Sequence, residues 1–103
     1  MEHVKINLEI AKIEFPDYSI QVNSKGIAIP LGHPYVMGID YLEWCWIGEI
    51  IEREGINLKR DTNHWEAYRH VDDPSSFWIQ FAKAETPTKA AALCYLKMKG
   101  VKI

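Results

Sequence analysis

Histidines and cysteines are where chemistry would start in this chain, and they are few. His64 and His70 lie in "HWEAYRHV", which alternates like a β-strand, so both side chains fall on one face, with Asp72 and Asp73 just beyond. Metal binding needs three or four convergent ligands. At the rise of a strand the two histidines stand roughly 20 Å apart, so they read as solvated strand and turn residues, and no metal site is expected. Cys45 and Cys94 sit in helix-like apolar stretches without a neighbouring histidine. A nucleophile needs a positioned base, so both are expected as buried, reduced thiols. The six glycines are scattered singly, which leaves no phosphate-cradling loop. Glu43, Glu49, Glu52 and Glu54 crowd one segment, the usual mark of a solvated helix face. With no catalytic constellation in view, no enzyme and no cofactor is expected.

What remains is surface. Four Trp and five Tyr are many for 103 residues, and aromatic side chains dominate contacts between proteins as well as cores. Trp65 and Phe77 read as core and cross-strand packing. Trp46 reads as outward, on the polar side of its helix and opposite Trp44 and Ile51. It would lie beside the loop "GHPYVMG", which carries Tyr35 and Met37, unless that loop folds over it. Leu93 and Leu96 lie on a second stripe of the last helix, shared with Lys89. They either pack on another helix of the same chain or form a modest self-association patch. Trp46, Leu93 and Leu96 are therefore the candidate interaction surface, for a protein partner or a weak homo-oligomer.

The elements that must position these residues follow from periodicity. "KINLEIAKIE" puts Ile6, Ile10 and Ile13 on one face at helical spacing, which predicts a helix from Lys5 to Glu14, ended by Pro16. Tyr18, Ile20 and Val22 alternate with polar residues, "NSKG" turns, and Ile27 and Ile29 resume the alternation. This predicts a β-hairpin with Gly26 supplying the permissive backbone. Asp40 with Glu43 has the capping-box spacing, which predicts a helix from Tyr41 to Glu54 stopped by Gly55. Trp44, Ile47 and Ile51 share a face there. Gly48 inside that helix costs about 1 kcal/mol relative to Ala, and a close approach by a neighbouring element is the expected reason. "INLKRD", "HWEAYRHV" and "FWIQFAKA", separated by "DTN" and "DDPSS", predict an antiparallel three-strand meander. Thr86 as N-cap and Pro87 as first helical residue open a last helix that ends before Gly100. Its stripe of Ala90, Ala91, Cys94, Tyr95 and Met98 is assigned to the sheet. The order α-β-β-α-β-β-β-α predicts one α+β domain over residues 1–103, an antiparallel sheet sandwiched by helices.

Gly48, Ile50, Ile51, Glu52 and Ile56, then Trp65 and Ala67 in a W-x-A strand, then Thr86, Pro87, Ala90 and Ala91 at the last helix start, stand in a telling order. In order and spacing the chain resembles the phage ABA-sandwich domain, a family of small phage and prophage proteins of unknown function. "INLEIAK" and the hairpin are similar too, so the resemblance covers most of the chain. Glu49 departs from the pattern, which has proline after the glycine. The resemblance implies a phage or prophage origin and implies no activity.

The α-β-β-β-α order of residues 41–99 is also similar to the double-stranded-RNA-binding domain, which grips phosphates with lysines at the start of its last helix. Here that turn, "TPTKAA", holds Lys89 alone, preceded by Glu85. The net charge is -2, with both signs interspersed, so no nucleic-acid partner is expected. No apolar run approaches the length of a membrane span, and the N-terminus lacks the apolar core of a signal peptide. The expected compartment is the cytoplasm of a bacterial host, and the expected mode of action is contact with protein rather than catalysis.

Overall fold

The computed structural model describes residues 3–70 and 79–101. Helix α1 (His3–Glu14) leads into strands β1 (Ile20–Val22) and β2 (Ala28–Pro30). Helix α2 (Trp44–Glu54), strands β3 (Asn57–Arg60), β4 (Trp65–His70) and β5 (Ile79–Ala84), and helix α3 (Pro87–Met98) follow. The order is the expected one, and the chain is α+β. The turn expected over "DDPSS", together with Phe77 and Trp78, lies outside the described residues.

The strands form two antiparallel sheets rather than one: β1 with β2, and β3-β4-β5. In the first, Asn23 Oδ1 accepts from the Lys25 and Ile27 N–H groups, and Gly26 takes φ +82°, a conformation that suits glycine. In the second, Leu58, Ala67 and Ala82 stand opposite one another across the ladder, as do Arg60, Trp65 and Ala84. These pairs place the buried alanines 67, 82 and 84 on one face and Tyr68 with Phe81 on the other.

The helices do not divide between the two faces of a sheet. Helix α3 packs on all three strands of the larger sheet, and α1 and α2 pack on α3. Helix α1 in turn carries the small hairpin. Every residue from Ala90 to Leu96 is therefore buried, as expected of a helix apolar all the way round. Both of its ends are tied off. Thr86 Oγ1 accepts from the Lys89 N–H at 3.3 Å. Beyond the last turn, Gly100 takes φ +79° while the Val101 N–H reaches Leu96 O at 3.0 Å and the Gly100 N–H reaches Lys97 O, a Schellman closure.

The expected N-cap of the second helix, Asp40, is not one. Helix α2 begins only at Trp44, and Glu43, in the capping position, makes no side-chain cap bond. Asp40 is occupied elsewhere. Its Oδ1 accepts from His3 Nε2 at 2.8 Å, from Asn7 Nδ2 at 3.1 Å and from the Leu42 N–H at 3.0 Å. Burial alone would raise this carboxyl, but these hydrogen bonds more than offset it and hold it below its ordinary range. Asn7 is fully buried. Besides Asp40 it donates to Gly26 O at 2.6 Å and accepts from the Tyr41 N–H at 2.8 Å. One amide thus ties α1 to the hairpin turn and to the approach of α2. A second polar tie joins the helices: Arg53 donates to both Glu14 oxygens, and the Tyr95 hydroxyl donates to Glu14 Oε2 at 2.9 Å.

The stop at Gly55 is as expected, with φ +67° and the Ile56 N–H on Ile51 O. The reason expected for Gly48 is not found, since a Cβ there would meet nothing within 4 Å. Gly48→Ala should therefore raise stability by about 1 kcal/mol through helix propensity alone, read as a higher denaturant midpoint with an unchanged slope. Asn7→Ala should act the other way. It strands Gly26 O and the Tyr41 N–H, and a loss of roughly 3 kcal/mol is expected, read in the same titration.

Candidate functional site

None of the three residues expected at the surface forms an exposed patch. Leu96 is fully buried and Leu93 nearly so, because α3 has neighbours on every side. This matches packing within the chain and leaves no Leu93/Leu96 surface for self-association. Trp46 is half-buried against the core, while Trp44 is, among the described residues, the exposed tryptophan at 55%. The reason lies in Ile50, which is buried with Ile47. Ile50 stands one helical turn from Trp46, so it draws the buried face toward that ring. Trp44 occupies the first, open turn. Tyr95, assigned by its stripe to the sheet, instead meets Glu14 and Arg53 of the other two helices.

Besides Val4 and Trp44, the exposed large apolar side chains among the described residues sit on residues 31–37. Tyr35 and Met37 are each 88% exposed and Leu31 47%, so these side chains do not fold over the helix. The backbone beneath them is pinned. The Leu31 N–H donates to Ser19 O, and beyond the loop Ile39 and Ala28 exchange both backbone hydrogen bonds. His33 Nδ1 accepts from the Tyr35 N–H at 3.1 Å and the Val36 N–H at 3.0 Å. That requires the tautomer with its proton on Nε2. The His33 ring lies edge-on to Phe15 at 5.4 Å and tilted on Tyr18 at 5.0 Å. Gly38 closes the loop where a Cβ would come within 2.9 Å of Ile27.

A second grouping lies at the tip of the β3–β4 hairpin. The Asp61 N–H donates to His64 O at 2.9 Å, which closes the turn. Asp61 Oδ1 accepts from the Thr62 N–H at 2.7 Å, a bond that holds the carboxyl below its ordinary range. Its other oxygen lies 3.5 Å from His64 Nε2, and Glu66 Oε1 lies 3.3 Å from the same nitrogen. The histidine expected as a solvated strand or turn residue thus has two carboxylates beside it. The signal was present in the spacing: residues two apart on a strand share a face, and a tight turn brings its first and last residues together.

Two other charged side chains, Lys89 and Arg53, are engaged within the fold. Lys89, the lone cation of the last helix's first turn, pairs with Glu85 at 3.0 Å. An open groove lined by Glu49, Glu52 and Arg53 has its arginine committed to Glu14.

Neither cysteine is in a disulfide, and only one is buried. Cys45 is exposed, against expectation, because it points away from the face made by Ile47 and Ile50. Burial pushes the Cys94 thiol up to about 11. The native protein should therefore give one rapid thiol equivalent with a disulfide-exchange reagent and two after denaturation. Raising pH above the ordinary thiol value of 9.0 strips the proton from Cys94 in the unfolded chain but not in the folded one. The folded state then binds more protons, so stability falls between about pH 9 and 11. Tyr41 and Tyr95, also raised chiefly by burial, act in the same direction. Thermal melts across that range should show the fall, and Cys94→Ala should make it shallower.

Compared with known proteins, the chain matches no family model and no curated protein.

Proposed function

We propose that this protein acts by contact with another protein, and that residues 31–37 are the contact element. One observation carries the reading: Tyr35 and Met37 are almost fully exposed on a backbone that His33, the Ile39–Ala28 bridge and Gly38 hold in place. Exposed aromatic and methionine side chains are over-represented where proteins meet. A loop already ordered in the free protein loses less entropy on binding than a mobile one. The polar groupings described above serve the fold or the hairpin tip. The phage or prophage setting, in the interior of a bacterial host cell, belongs to the same proposal and rests on the resemblance of sequence order and spacing alone.

The test separates surface from stability. Tyr35→Ser with Met37→Ser should change stability by no more than about 0.5 kcal/mol, since surface changes away from special features cost little. A photocrosslinking residue at position 35, in cells making the protein, should trap a discrete species. The same residue at position 25, on the hairpin turn, should not. His33→Ala should weaken the trap at position 35 while leaving the side chains beside it intact. Equal labelling at positions 25 and 35 would sink the proposal.

A further inference from the structure

We infer that Asp61, His64 and Glu66 form a binding site for a divalent transition-metal ion of the zinc type. The three side chains offer one ligand atom each, and these atoms all lie within 4.8 Å of one another. Nitrogen and oxygen ligands sit about 2.0–2.2 Å from zinc, so the edge between two ligands of a tetrahedral ion is about 3.3–3.6 Å. The two edges at His64 Nε2 measure 3.3 Å to Glu66 and 3.5 Å to Asp61. Two edges of the site therefore match those of a zinc tetrahedron, the third, between the two carboxylates, lies within 4.8 Å, and the ligand types are ones zinc accepts.

The hairpin explains why the atoms converge. The Asp61 N–H to His64 O bond fixes the two ends of the turn. The Thr62 N–H holds one oxygen of Asp61 and leaves the other turned to the histidine. Glu66 follows on the same side of β4, on the sheet face opposite the one that buries Ala67 against the core. Across the ladder it stands between Lys59 and Lys83. Among the described residues neither lysine pairs with it, and its carboxylate turns to His64 instead. A proton on His64 can serve both carboxylates, and so can a metal ion in its place. Asp61 is half exposed, so the ion could enter from solvent and keep its fourth position open to water. The two lysines oppose a cation and limit the affinity.

The experiment is a calorimetric titration of the folded protein with Zn²⁺ in a non-coordinating buffer. The expected result is saturation near one ion per chain. His64→Ala should weaken binding tenfold or more, and Glu66→Gln several-fold, with circular dichroism confirming that each variant remains folded. The histidine ring signals should report the same event, with the His64 resonance shifting first in an NMR titration. Absence of saturable binding would show the cluster to be an ion-pair network only. Unchanged affinity in His64→Ala would place any bound zinc on other histidines or on Cys45. Either result overturns the inference.

Discussion

The fold depends on one constraint: the middle of α3 has no solvent side. The three-stranded sheet takes one flank and the other two helices take the rest, so from Ala90 to Leu96 no position can hold a charge. Small side chains answer this at four of the seven positions, Ala90, Ala91, Ala92 and Cys94, and they allow the neighbouring elements to come close. The larger residues Leu93, Tyr95 and Leu96 fill the space between layers. Charged residues return only outside the buried run, at Lys89 and Lys97, where they reach Glu85 and Phe81 O. A helix so enclosed leaves its two ends as the places where backbone groups lack partners, which is why Thr86 and Gly100 matter as much as the apolar stripe.

Around this helix the polar contacts are few and fully used. Asn7 and Asp40 share a bond and between them hold His3, Gly26, Tyr41 and Leu42. Glu14 collects Arg53 from α2 and Tyr95 from α3. Among the described residues no buried side-chain nitrogen or oxygen lacks a partner. Each tie joins segments far apart in the chain, so the two together specify how the elements meet, while apolar burial supplies the driving force. The Arg53 ion pair is half exposed and contributes mainly geometry.

Much of this was legible in the sequence because local rules act locally. Thr86 with Pro87, the glycines at 55 and 100, and Asn23 to Gly26 each declare a start, stop or turn without help from the rest of the chain. The misreadings share the opposite cause. Asp40 has a capping residue's spacing, but distant His3 and Asn7 claim its carboxylate. Leu93 and Leu96 resemble a spare stripe until α1 and α2 arrive from elsewhere in the chain. Trp44 and Trp46 differ only by which flank of α2 the isoleucines turn inward. Asn7 gives no sign of its role, since a lone asparagine in a helix is ordinary. The hairpin-tip cluster is legible in spacing alone, since Asp61 and Glu66 flank His64 at the separations that a tight turn and a strand bring together.

The loop over residues 31–37 has a consequence for how such a protein can change. Its course is set by His33, Gly38 and the Ile39–Ala28 bridge, none of which is among its most exposed side chains. Positions 35 and 37 add little to the fold that displays them. Substitutions there are hardly constrained by folding, so these side chains can change while the scaffold stays still. The run from Ala90 to Leu96 lies at the other extreme, where almost any change is felt by two layers at once. The chain thus keeps its most exposed and its most enclosed side chains on separate elements.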